Sequence, residues 1–196
     1  VFLIIFLESP GLFAQKTEVY RSDNKLYDEA FDLYTHSHHE ASRKLFKEYL
    51  SVNSDPNSEL YENASYYHAL NSMRLFHKDS EYLMEHFLLD YPESNWKQAA
   101  ILNLAMYNFN RRDYDDALRW FDQIDKTRVS FEKESEIVFK RGFSAFELEN
   151  YTEAKKSFFE VKDKDGEYAA AANYYYGHIA YTEENYQTAL ESFQKA

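Results

Sequence analysis

Arg112-Asp113-Tyr114-Asp115-Asp116-Ala117-Leu118-Arg119-Trp120-Phe121 returns twice further along the chain. It reappears as Glu149-Asn150-Tyr151-Thr152-Glu153-Ala154-Lys155-Lys156-Ser157-Phe158 and as Glu184-Asn185-Tyr186-Gln187-Thr188-Ala189-Leu190-Glu191-Ser192-Phe193. The shared frame is Tyr-x-x-Ala-x-x-x-Phe. Its alanines, Ala117, Ala154 and Ala189, are 37 and 35 residues apart, a period that belongs to stacked supersecondary units. In the first copy Tyr114, Ala117, Leu118, Phe121 and Ile124 recur at three- and four-residue steps, as do Tyr151, Ala154, Phe158 and Val161 in the second. That spacing collects them on one face of a helix, while Asp115, Asp116, Arg119, Glu153, Lys155 and Lys156 fall opposite. Twelve residues before each alanine stands a small residue, Ala105, Gly142 or Gly177, where two helices can approach closely. Each unit therefore reads as helix, short polar turn, helix. A lone hairpin cannot bury such a stripe, so neighbouring units must cover one another and build a continuous core.

Upstream the signal is weaker. Tyr27 to Leu50 reads as a hairpin with Ala41 and Leu45 in the alanine and aromatic places, His38 in that of the tyrosine, and a turn one residue shorter. Residues 61–92 read as another, without the signature alanine and closed by Asp90-Tyr91-Pro92. The frame, the period and the small residue twelve places upstream resemble the tetratricopeptide repeat (TPR), well over 98–196 and more loosely before. The resemblance implies an all-α fold, a right-handed superhelical stack of about five antiparallel helical hairpins whose first helices line a concave binding surface. The expected organisation is a signal-peptide remnant at 1–14, divergent hairpins over 15–97 and three TPR units over 98–196. The last unit stops inside its second helix, without a polar cap, and so reads as cut short.

Composition removes whole classes of site. Of 196 residues only 4 are Gly, at positions 11, 142, 166 and 177, too scattered for a P-loop or a dinucleotide fingerprint, which bring clustered glycine backbone against phosphate. Lys and Arg total 22 against 34 Asp and Glu, a formal charge of -12; the overall field repels polyanions, so nucleic acid is not an expected partner. The chain has no Cys, which removes disulfides, thiolate zinc sites and a thiol nucleophile.

Val1-Phe2-Leu3-Ile4-Ile5-Phe6-Leu7 is an unbroken apolar run followed by Glu8-Ser9-Pro10-Gly11 and Leu12-Phe13-Ala14-Gln15. A hydrophobic stretch, helix breakers and a small residue before a polar one follow the order of a secretory signal and its cleavage site, though the run is far short of the roughly 20 residues that span a bilayer. The reading places cleavage near Ala14 and predicts an exported protein, in the periplasm or cell envelope, whose amino end here lies inside its signal. The alternative is a buried apolar element of the mature fold.

Seven histidines raise the question of a metal. His36-Ser37-His38-His39-Glu40 is the densest group, yet it falls in an expected turn, and Arg43 stands where a zinc protease motif needs its second histidine. Adjacent carboxylates such as Asp115-Asp116 and Glu183-Glu184 point to different sides of a helix and suit solvated helix starts. No metal, cofactor, small-molecule substrate or catalytic residue is expected. The TPR resemblance instead places Leu102, Met106 and Phe109, then Phe139, Phe143 and Phe146, then Tyr174, His178 and Tyr181 on the inner face. Leu102, Phe139 and Tyr174 occupy the place where carboxylate-clamp members carry a basic residue. An aromatic groove of this kind suits an amphipathic helix or an extended segment of a partner protein; the competing reading packs the same rings between neighbouring first helices. The leading expectation is a non-catalytic scaffold in the bacterial envelope. Its alternatives are the targeting arm of an enzyme with a catalytic domain beyond Ala196, or a component of an outer-membrane or cell-wall assembly.

Overall fold

The computed structural model describes residues 24–196, so the signal reading of 1–14 lies outside the described residues. Helices account for all the regular structure among them: α1 (24–35), α2 (His39–Val52), α3 (Glu59–Arg74), α4 (Ser80–Asp90), α5 (Lys97–Arg111), α6 (Tyr114–Phe121), α7 (Phe131–Glu147), α8 (Tyr151–Val161), α9 (Ala169–Thr182) and α10 (Tyr186–Phe193), with a 3₁₀ turn at Lys126–Arg128. None of these helices is long and apolar enough to cross a membrane. They form two compact units, one ending at Ser94 and one spanning Asn95–Ala196.

The tyrosine of the repeated frame is in each case the first residue of the second helix, α6, α8 or α10. Asn150 and Asn185 cap α8 and α10 by accepting from the N–H groups of Glu153 and Thr188, satisfying amides that a helix start leaves open. Glu183 and Glu184 are not at a helix start: Glu183 follows the end of α9 and pairs with Lys155. The small-residue contact is real and narrow. A Cβ built on Gly142 would lie 2.7 Å from Ser157 Cβ and 3.1 Å from the Phe158 ring, and one on Gly177 would lie 2.9 Å from the Phe193 ring. Ala117, Ala154 and Ala189 are buried in the same seams.

In the unit ending at Ser94 the register differs by one residue from the sequence reading. Ser42 and Phe46, both fully buried, take the alanine and aromatic places, and His39 takes that of the tyrosine; Ala41 is exposed. Ser42 lies twelve residues after the fully buried Ala30 and donates to its carbonyl at 2.7 Å, so this turn has the same length as the others. A serine is small enough for the seam once its hydroxyl is bonded. Tyr67 of α3 covers the hairpin, with ring centroids 4.7 Å from Tyr34, 5.2 Å from Phe31 and 5.6 Å from Phe46.

All five hairpins turn in one way. Ser37, Phe76, Arg112, Glu149 and Glu184 each have φ between 53° and 65°. After each, an N–H reaches back five residues to a helix carbonyl, as Asn150 to Ala145 at 2.8 Å, and encloses a three-residue return such as Glu149 to Phe146 at 2.9 Å. This paired closure suits glycine best, and a residue with a Cβ pays roughly 1–2 kcal/mol to adopt it. Changing Glu149 to Gly is therefore expected to raise unfolding stability by about 0.5–1 kcal/mol after the unfolded chain's gain in freedom. Lys156→Gly, inside α8, is expected to lower it by about 1 kcal/mol. Urea midpoints for the two variants should move in opposite directions.

Candidate functional site

The first helices α5, α7 and α9 place their rings in one connected ladder. Phe109 of α5 meets Phe143 of α7 at 5.8 Å, Phe143 meets Tyr175 of α9 at 5.3 Å, and Phe146 meets both Tyr175 at 5.1 Å and His178 at 5.5 Å. Phe139 joins through Phe143 and Tyr175 at 6.4 and 6.2 Å. Most of these pairs are edge-to-face, the geometry that sets a ring's positive rim against a neighbour's negative face. Three- and four-residue spacing on each helix aims the rings to one side; the helix beside it supplies the next rung.

Of the nine residues expected on this face, Phe109, Phe139, Phe143, Phe146 and His178 join the ladder, Tyr175 meeting the three α7 rings directly while Phe109 and His178 attach through Phe143 and Phe146. Leu102 and Met106 are half-buried on α5, and Lys140 Nζ reaches Met106 Sδ at 3.5 Å. Tyr174 and Tyr181 are the open members, 50% and 59% exposed: Tyr174 meets the hub Tyr175 edge-on at 5.2 Å and Phe193 at 6.1 Å, while Tyr181 touches Tyr186. Both readings of the rings thus have their share. The α7 phenylalanines are half-buried and pack between neighbouring helices, whereas the tyrosines and His178 on α9 remain open.

Tyr175, the hub, is absent from the sequence expectation. It sits in the run Tyr174-Tyr175-Tyr176, where rings point in every direction, and only its seven-residue step from Tyr168 hints that it faces inward. Burial raises the Tyr175 hydroxyl's pKa, with Glu147 adding to the effect. Burial likewise pushes Tyr168 up to about 12, helped by its bond to Glu167. Both phenols stay neutral donors at physiological pH. Beside the ladder Glu136 bridges Lys133 and Lys140, each at 2.7 Å. Burial opposes ionisation of Glu136, but the two ammonium groups outweigh it and hold the carboxyl below its ordinary range. Lys140 also lies 5.2 Å over the Phe109 ring. The floor is aromatic, and its edge carries one more cation than anion within this triad.

Histidines are dispersed among separate partners. His39 Nδ1 bonds Asn71, His77 Nε2 bonds Glu40 at 3.1 Å, and His36 bonds the Asp32 carbonyl at 2.9 Å. His68 is buried alone on α3.

No protein-family model matches the chain, and no curated protein matches it by sequence. Solved structures do match by shape. The chain is similar to MamA of strain AMB-1 at a TM-score of 0.69 and 13% identity, covering 89% of each chain. It is similar to MamA of strain MSR-1 at 0.64 and 12%, covering 89% of this chain and 94% of that one. A kinesin-light-chain-type protein of Podospora anserina with nearly identical TPR-like repeats gives 0.63 and 10%, covering 88% and 92%.

Proposed function

We propose that this chain, whose fold is the all-helical, TPR-like solenoid of those structures, is a non-catalytic scaffold that holds a partner protein or peptide against the ring ladder of α5, α7 and α9. The observation that carries the reading is the pair of open rings on α9, Tyr174 and Tyr181, the first packed edge-on against Tyr175, which in turn meets Phe143 and Phe146 of α7. A packed aromatic floor costs no reordering on binding, and exposed tyrosines at its end supply large contact area with few torsions to freeze. The occupant is an amphipathic helix or extended segment whose apolar side chains meet the rings. Export to the cell envelope, read from residues 1–14, supplies the setting; cleavage near Ala14, measured by mass of the mature protein, checks it.

The test separates binding from packing. Amphipathic peptides selected from a displayed library on the full chain are re-measured on variants. Tyr181→Ala is expected to weaken binding by about 2 kcal/mol, the size of an aromatic hot spot, with an unchanged melting temperature. Phe143→Ala, which removes a ring packed on four others, is expected to lose both binding and stability. Peptides that bind Tyr181→Ala and Phe143→Ala as well as the parent would sink the groove.

A further inference from the structure

In the unit ending at Ser94 a hydrogen-bond relay donates in a single direction, from an exposed guanidinium to a buried carbonyl. Asn71 is fully buried. Its Nδ2 donates to Ser42 Oγ at 3.0 Å and to the Tyr67 carbonyl at 2.9 Å, and Ser42 Oγ donates onward to the Ala30 carbonyl at 2.7 Å. With both amide protons committed, Asn71 offers only its Oδ1 to His39, whose Nδ1 lies 2.8 Å away and must therefore be the donor. His39 Nε2 is then the ring's lone-pair atom, and Arg74 Nη1 donates to it at 3.3 Å. Arg74 Nη2 donates to Tyr34 Oη at 3.1 Å, and the guanidinium carbon lies 5.0 Å from the Tyr34 ring centroid.

Every partner of this guanidinium is neutral. Arginine has five N–H donors, and the relay engages two, so about three are left on an exposed side chain. Among the described residues no carboxylate stands within ion-pair distance of Arg74, although the chain carries 34 Asp and Glu. Glu40, beside His39, is taken up by Arg43 at 3.1 Å, Lys44 at 3.3 Å and His77 at 3.1 Å. A guanidinium held by two side chains and stacked on a ring has already lost most of its torsional freedom. Its open edge has the planar fork that matches a carboxylate.

We propose that Arg74, backed by Tyr34 and His39, is a recognition site for a carboxylate presented by a bound molecule. A single charge is the better match than a doubly charged phosphate, because one guanidinium neutralises one charge and the chain's net charge of -12 penalises any excess. The site is distinct from the clamp considered above. In register with Leu102, the unit carries Tyr27 and Ser65, three residues before Ala30 and His68, and neither belongs to the relay. Nor does the site involve α5, α7 or α9, so it stands or falls independently of the ring ladder.

The experiment is an acetate titration of the full ¹⁵N-labelled chain, following the Arg74 Nε–Hε resonance, with sodium chloride as the ionic-strength control and Arg128, already paired with Asp125, as the internal reference. Acetate is expected to shift Arg74 saturably in the millimolar range while chloride and Arg128 do not respond in this way. Arg74→Lys, which keeps the charge and loses the fork, is expected to weaken acetate about tenfold, as followed by neighbouring backbone amides. His39→Phe, which leaves Arg74 in place without its acceptor, is expected to weaken it several-fold. A linear shift shared with Arg128, or undiminished binding in Arg74→Lys, overturns the site. Tighter binding of inorganic phosphate than of acetate at equal ionic strength overturns the carboxylate assignment.

Discussion

Replacing Phe158 with alanine is expected to lower the stability of the Asn95–Ala196 unit by about 3–5 kcal/mol, the cost of deleting a fully buried ring. Phe158 is 0% exposed and sits among Val138, Ala145, Ala154, Val161, Ala172 and Ile179, drawn from α7, α8 and α9. Its ring stacks on Tyr175 at 5.4 Å and meets Phe139 at 5.7 Å. The cavity would collapse poorly, because the small neighbours Ala145, Ala154 and Ala172 have no side-chain length with which to fill it. Phe159, next in sequence but 61% exposed, provides the control: its alanine variant is expected to cost less than about 1 kcal/mol. Denaturant unfolding of the two variants decides the matter, and equal midpoint shifts would mean that the helical phase of α8 is wrong. Hydrogen exchange should also show α9 and α10 losing protection first in Phe158→Ala, since that ring is the buried contact of α8 with Tyr175 of α9.

Acid is expected to destabilise the unit ending at Ser94 through His68 by about 3 kcal/mol, the value of a 2.5-unit pKa difference. His68 is 7% exposed, and its Nε2 has no hydrogen-bond partner among the described residues. Burial is the main reason its pKa falls from 6.5 to about 4, assisted by Arg43 and Lys47 of α2 and by His77, and opposed by Asp79, the last two just ahead of α4. The folded state thus holds the neutral ring, while the unfolded chain takes a proton as pH falls through 6.5. Stability is complete above that value, declines between pH 6.5 and 4, and stops declining on this account below 4. Glu40 acts in a lower window: its bonds to Arg43 and His77 hold its carboxyl at about 2 against an ordinary 4.5, so its contribution disappears only as pH falls from 4.5 to 2. The slope of unfolding stability between pH 7 and 4 should flatten in His68→Leu, whereas Glu40→Gln should lower stability yet leave that slope unchanged above pH 5. A slope that survives His68→Leu would assign the acid sensitivity elsewhere.

Reading identity in place of spacing is what misplaced the first hairpin. Ala41 matches the repeated frame by residue type, yet the interval of twelve that joins Ala105 to Ala117 and Gly142 to Ala154 also joins Ala30 to Ser42. The same interval runs from His68 to the buried Ser80, four residues before the buried Met84, so the hairpin that lacks the alanine keeps its geometry with serine and methionine. The TPR resemblance, counted along the helices, set Phe109 of α5 and the three phenylalanines of α7 on one side in advance. It could not single out Tyr175, whose neighbours Tyr174 and Tyr176 carry the same side chain; the choice is made by Phe146 and Phe158 on the adjoining hairpin. The relay from Ala30 to Arg74 was beyond reach for a related reason. His39 and Asn71 are 32 residues apart, and polar side chains leave no periodic trace.

Within Asn95–Ala196 the main helix contacts join elements consecutive in the chain, α5 with α6 through α9 with α10, and side-chain ties such as Arg141 to Asp122 and Lys126 to Glu160 link one hairpin to the next. Such connectivity has a mechanical meaning. A load applied along the chain meets no clamp between distant strands that must break all at once; it peels one hairpin from its neighbour, at low force, while the remainder keeps its shape. Each hairpin of 35 or 37 residues would pay out roughly 120 Å of slack as it lets go. A segment built in this way behaves less like a bolt than like a spring, lengthening under tension and rewinding when the tension is released.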